Sequence, residues 1–191
     1  MNRRVVITGL GIYSCLGKTL DEVKESLYYG KSGIIFDPAR KEMGFRSALT
    51  AKLDIPELKK ELSRSQRVYM PEEAKYAYVA TAEALRNAGL DMDYLEKNEV
   101  GLLYGNDSTA DAVVKAVDTM REKKDTTLVG SGAIFQSMNS TVTMNLGCIF
   151  KLKGINLTVS GACASSSHAI GLGSLLIKWG LQDCIVCGGA Q

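Results

Sequence analysis

What most constrains this chain is an alternation of two kinds of segment. Strand-like runs at 4–10 (RVVITGL), 100–104 (VGLLY), 155–160 (INLTVS) and 184–187 (CIVC) are separated by stretches with helical spacing. Short apolar runs suit strands buried on both sides, and strands divided by helices give an α/β fold. A mainly parallel sheet with helices on both faces is therefore expected. The helical stretches carry their own boundary signals. Thr19 opens one that runs to Tyr29, with Glu22 three residues on and Leu20, Val23 and Leu27 on one face. Pro71 opens the clearest, with Glu72 and Glu73 in its first turn, Ala74, Tyr78, Ala82 and Leu85 in a stripe, and Gly89 past its end. Helices are also expected over Asp111–Lys123 and 163–179, and a helix or loop plus helix over Ser137–Leu146. Residues 34–54, with Pro38 and mixed charge, read as irregular.

The 191 residues are enough for one sizeable core, and 46% hydrophobic with 23% charged residues describes an ordinary globular chain rather than a disordered one. A formal charge of +2 gives no whole-molecule signal for nucleic acid. No run of 18 apolar residues exists to span a membrane. The opening Met1-Asn2-Arg3-Arg4 followed by Val5-Val6-Ile7 faintly imitates a signal peptide, but Gly9, Gly11 and Gly17 break the apolar run, so a first core strand is the better reading. Five cysteines, at 15, 148, 163, 184 and 187, are an odd set without a secretory signal, which points to a reducing cytoplasm.

Three motifs compete for a chemical reading. Gly9-x-Gly11 follows the first strand as a dinucleotide fingerprint does, but Ser14 stands where the third glycine belongs. Cys184-x-x-Cys187 invites a redox or zinc reading, yet on a strand the two side chains face opposite ways. His168, the only histidine, lies five positions after Cys163. On one continuous helix the two would diverge by roughly 140°, a poor arrangement for a general base. The strongest feature is Cys163 itself. It sits in Leu157-Thr158-Val159-Ser160-Gly161-Ala162-Cys163-Ala164-Ser165-Ser166-Ser167, a strand followed by small residues and then a helix. A helix N-terminus offers unpaired N–H groups and a positive dipole end, which favour thiolate, the nucleophilic form. A buried structural cysteine is the competing reading.

Four stretches then carry a family pattern: RVVITGLGIYSCLG at the start, LYYGKSGI at 27–34, VSGACASSSHAIG at 159–171, and the closing DCIVCGGAQ. On these the chain resembles the N-terminal half of a β-ketoacyl-[acyl-carrier-protein] synthase of the elongating type. The resemblance implies a thiolase-like fold, in which two similar α/β halves pack face to face; residues 1–191 would be the first half, with the C-terminal half absent. It implies that Cys163 accepts an acyl group from acyl carrier protein, and that malonyl carrier protein is decarboxylated so that its carbanion lengthens the chain, in fatty-acid or polyketide synthesis. Two histidines and a lysine of the second half would assist, and the Cys163 N–H would form half of an oxyanion hole.

The resemblance also places Asp107, Ser108, Met138 and Ala162 at the acyl site, with Met138 in a segment that approaches the partner subunit's pocket. Basic side chains on two loops, Arg64 and Arg67 on one and Arg121, Lys123 and Lys124 on the other, would dock the acidic carrier. It implies no metal and no cofactor beyond the carrier's phosphopantetheine, a cytoplasmic homodimer paired through strands after the nucleophile region, and no nucleic-acid or membrane partner. Two other readings remain open from the residues: a non-catalytic dimerisation or scaffold half, and a nicotinamide-dependent oxidoreductase using Gly9 and Gly11.

Overall fold

The structure, a computed structural model, describes residues 3–190; Met1 and Asn2 of the basic opening and Gln191 of the closing stretch lie outside them. Helix α1 covers Leu20–Tyr28, and the Thr19 side chain accepts from the Glu22 N–H as its sequence pattern requires. Residues 34–54, expected to be irregular, instead form a small antiparallel pair. Strand β1 (Ile34–Phe36) pairs with β2 (Leu49–Ala51) around a short helix α2 (Pro38–Glu42) that Asp37 caps. The strands are only three residues long, too short to show a period. Helix α3 is Arg64–Arg67, capped by Ser63 and Gln66 in a reciprocal box. Helix α4 is Glu72–Asn87, and α5, Met92–Lys97, is capped by Asp91.

The main sheet begins with β3, Val100–Gly105. Helices α6 (Ala110–Lys123), α7 (Ala133–Gln136) and α8 (Thr141–Ile149) follow, so the ambiguous 137–146 stretch is a loop that becomes a helix. Strand β4 is Asn156–Val159, helix α9 is Ser165–Lys178, and strand β5 is Cys184–Gly189. The three strands are parallel in the order β4-β3-β5. Every residue of β3 is buried, and its alternate side chains serve two cores. Val100, Leu102 and Tyr104 join Ala74, Tyr78 and Leu85 of α4 and Val142 and Leu146 of α8; Leu103 joins Ala169 and Leu176 of α9. Helices thus cover both sheet faces, as expected.

One expected strand is absent. Residues 4–10 form no strand and pair with none among the described residues, and Val6, Ile7 and Leu10 are exposed. A strand exists only through a neighbouring ladder, and apolar content cannot supply one. The segment is held on α4 instead. The Leu10 N–H donates to Asn87 Oδ1 at 3.0 Å and the Ile12 N–H to Glu83 Oε2 at 3.0 Å. Gly9 and Gly11 make that approach, because a Cβ on them would meet the Ala84 and Ala80 carbonyl oxygens at 2.3 and 2.0 Å. The two glycines therefore serve helix contact. No helix begins beside them as a dinucleotide cradle needs, since α1 starts only at Leu20. Between this segment and β5 lies a cavity of about 410 Å³, lined among others by Gly11, Tyr13, Tyr104 and Gly188.

Candidate active site

Parallel strands bring their carboxyl ends to one side, and in open α/β sheets that side carries the site. Here β3 leads into Asn106-Asp107-Ser108 and β4 into Ser160-Gly161-Ala162-Cys163. The ladder runs one step past the strands, with the Asn106 N–H donating to the Val159 carbonyl at 3.1 Å. Gly105 lets β3 abut the start of α9: a Cβ there would stand 2.4 Å from the Ser166 nitrogen.

Cys163 occupies a 3-10 turn, Ala162–Ala164, immediately ahead of α9 rather than on the helix proper. The thiol is exposed, so the buried structural reading does not hold for it. The first bond inside the turn runs from the Ala164 N–H to the Gly161 carbonyl at 3.1 Å, which leaves the Cys163 N–H ahead of the turn's own ladder. Ala162 is left-handed, with φ of 48°, a conformation that costs a residue with a Cβ about 1–3 kcal/mol. Its neighbours hold it there. Buried Ser165 donates to the Ala162 carbonyl at 2.6 Å and accepts from the Gly161 N–H at 2.9 Å. Asp107 Oδ1 accepts the Ala162 N–H at 3.0 Å and the Ser160 hydroxyl at 2.6 Å. Those two donors, the Ser160 hydroxyl foremost, hold the Asp107 carboxyl below the usual carboxylate range.

A second loop is tied to the same place. Asn139 donates to the Asp107 carbonyl at 2.9 Å, Asn106 donates to the Asn139 carbonyl at 3.0 Å, and Thr109 donates to the Met138 carbonyl at 3.3 Å. Asp107, Ala162 and the Met138 loop, all expected at the acyl site, are thus joined by hydrogen bonds. Exposed Ser108 lies beside them in sequence. The Met138 side chain is 39% exposed. Asn106, Asn139, Ser160 and Ser165 were not among the expected site residues. For Asn106, Ser160 and Ser165 the only signal was a run of small polar residues after β3 and β4; Asn139 had none.

Other expectations change. His168 lies on the first turns of α9, exposed, with its ring against the nucleophile turn: a Cβ on Gly161 would stand 2.8 Å from Nδ1. The angular argument for divergence assumed one continuous helix, which the 3-10 turn interrupts. The basic residues are on helices rather than loops. Arg64 and Arg67 are on α3, Arg121 and Lys123 form the last turn of α6, and Lys124 caps it with φ of 51°. Helix-stop glycines are missing at both places, and Ser63 starts α3 by its reciprocal box with Gln66. Arg67 Nε donates to the Leu62 carbonyl at 3.1 Å, so its side chain is partly committed to the fold. Arg64, Arg121, Lys123 and Lys124 are exposed. Cys184 packs with the α4 side of the sheet and Cys187 with the α9 side, opposite faces as the strand period requires. Burial raises both thiols, Cys187 to about 11.

A parallel sheet covered by helices, with an exposed thiol on a strained turn at its carboxyl edge, is an α/β arrangement consistent with part of a thiolase-like fold. The chain belongs to the β-ketoacyl synthase family: the family's "Beta-ketoacyl synthase, N-terminal domain" matches residues 2–191. It is 38% identical over 192 residues to 3-oxoacyl-[acyl-carrier-protein] synthase 1 of Haemophilus influenzae, covering 99% of this chain and 47% of that protein. A β-ketoacyl synthase structure from Burkholderia phymatum STM815 superposes with a TM-score of 0.83 at 31% identity, over 94% of this chain and 44% of that one. A type II polyketide ketosynthase solved with its acyl-carrier protein superposes with a TM-score of 0.79 at 21% identity, covering 100% of this chain and 52% of that one, a likeness of fold alone. The chain spans about half the length of the curated relatives it matches.

Proposed function

We propose that this chain is the nucleophile-bearing half of a condensing acyltransferase acting in fatty-acid or polyketide synthesis. The Cys163 thiolate attacks the acyl thioester of acyl carrier protein, the tetrahedral oxyanion collapses, and the carrier's phosphopantetheine thiolate leaves. Malonyl carrier protein then loses carbon dioxide, and its carbanion attacks the Cys163 thioester. The cysteine thiolate departs and a 3-oxoacyl carrier protein is released, two carbons longer. The observation that carries this reading is the exposed Cys163 on a left-handed-entry turn with an N–H outside the turn's own ladder, the geometry an oxyanion hole asks of its donor.

The remaining groups follow from the same reading. Ala162, Ser108 and the Met138 loop line the acyl group, and the carrier docks on Arg64, Arg67, Arg121, Lys123 and Lys124. Helix α7 is tied to α3 by the Gln136 Nε2 bond to the Val68 carbonyl at 2.7 Å and packs against α6, which supports one basic face. A C-terminal half supplies the two histidines and the lysine. Segment 4–10 and the outer edge of β5, neither paired with a further strand among the described residues, and the cavity between them support a place where that half completes the sheet. The whole protein is a cytoplasmic homodimer. No helix among the described residues is long and apolar enough to cross a membrane. The reaction needs no metal and no cofactor beyond the carrier's own arm.

Alkylation separates this from a scaffold half. Limited iodoacetamide followed by peptide mapping is expected to mark Cys163 ahead of Cys148, which is also exposed. Equal labelling of the two would favour the scaffold.

A further inference from the structure

The geometry points to Asp107 as the positioning residue of the nucleophile turn, not a group that contacts substrate. The inference rests on Cys163 being the acyl acceptor. Asp107 Oδ1 is already engaged by two donors that flank Gly161 in sequence, the Ser160 hydroxyl at 2.6 Å and the Ala162 N–H at 3.0 Å. The Asp107 backbone is fixed in turn, because its carbonyl accepts from Asn139 and the preceding residue, Asn106, is fully buried and bonded to the Val159 carbonyl. The carboxylate is therefore a rigid acceptor mounted on the end of β3.

What it holds is the one non-glycine backbone conformation of the turn with positive φ, Ala162 at 48°. The Ala162–Cys163 peptide plane sets where the Cys163 N–H and thiol point. The Ala162 N–H lies in the preceding Gly161–Ala162 plane and the Ala162 carbonyl in the Ala162–Cys163 plane, so Asp107 on the first and Ser165 on the second together fix the backbone angles of Ala162, and with them the approach of thiol and oxyanion donor to one carbonyl. Ser165 anchors the turn from the helix side through the Ala162 carbonyl and the Gly161 N–H. Asp107 anchors it from the sheet side. An acid at this position acts through backbone placement, so for acyl transfer its acceptor oxygen matters more than its charge.

The test follows transfer of an octanoyl group from octanoyl-N-acetylcysteamine to the wild-type chain, by mass spectrometry of the Cys163 peptide, with Cys148 alkylation as internal reference. Asp107→Ala is expected to slow acylation of Cys163 by about tenfold or more, since small misplacement of a reacting group costs on that scale, while Cys148 labels as before. Asp107→Asn, whose amide oxygen still accepts, is expected to stay within about threefold of wild type by the same argument. Ala162→Gly added to Asp107→Ala is expected to recover most of the loss, because glycine takes a positive φ without help. Normal acylation in Asp107→Ala, loss in Asp107→Asn equal to that in the alanine variant, or no recovery with glycine would each overturn the positioning role. If Asp107→Ala opens the fold, read as faster labelling of half-buried Cys184 and Cys187 than in wild type, Asp107→Asn decides alone. Failure of the wild-type chain to acylate at Cys163 would instead remove the acyl-acceptor reading beneath it, a distinguishable result.

Discussion

At the scale of single residues, the site is a matter of backbone placement. Ala162 carries a strained φ, and Ser165, Ser160 and Asp107 hold it with four hydrogen bonds. Asp107 also makes the turn's stability depend on pH in a definite direction. Its folded carboxyl is shifted downward by the Ser160 hydroxyl and the Ala162 N–H, so its contribution is fully present above the ordinary carboxylate value of about 4 and is lost as pH falls through the lower folded value. The melting temperature of wild type is expected to exceed that of Asp107→Asn at pH 6, with the gap closing in acid below that range. A gap that widens on acidification would contradict the assignment. Cys163 could be picked out as a nucleophile from small residues between a strand and a helix. Its support could not, because Asp107 is 56 residues away in sequence and only the parallel pairing of β3 with β4 brings them together.

At the scale of elements, β3 is the centre, since it faces α4 and α8 with one set of side chains and α9 with the other. Leu102 and Leu103 are both fully buried, one on each side. Each truncation to alanine is expected to lower unfolding free energy by about 2–5 kcal/mol in urea titrations. A loss below about 1 kcal/mol at either position would mean that one face is not packed. Tyr104, from the same strand, is buried and its phenol is pushed up to about 12 by loss of solvation. Because the folded value is raised, its contribution is intact below pH 10 and fades as pH rises toward 12. Tyr104→Phe is therefore expected to be the more alkali-resistant protein over that window; equal alkaline unfolding curves would contradict the buried phenol. Helices α1 and α4 were legible because capping and stripe signals are local, and Cys184 and Cys187 fell on opposite faces because strand period is local too. The 4–10 segment was not, because strand identity is a property of a pair. The incomplete Gly9-x-Gly11 motif, which has Ser14 at the third glycine's place, lies against the carbonyls of Ala84 and Ala80. Gly11→Val is expected to lift the segment from α4, read as faster amide exchange at Leu10 and Ile12; unchanged protection would argue against that contact.

At the scale of the whole molecule, the chain matches about half the length of its curated relatives and carries a single histidine, His168. On the function proposed above, these residues accept the acyl group and groups of a second half carry out decarboxylation. The 191-residue chain by itself is accordingly expected to release no carbon dioxide from malonyl carrier protein; turnover by it alone would refute that division of labour. The most direct test is the site of the acyl group itself. After incubation with an acyl-[acyl-carrier-protein] thioester, peptide mapping should find the acyl mass on the peptide bearing Cys163 and nowhere else, and Cys163→Ser should abolish it. Acyl mass spread over Cys15, Cys148 and Cys163 alike, or undiminished in the serine variant, would contradict the account.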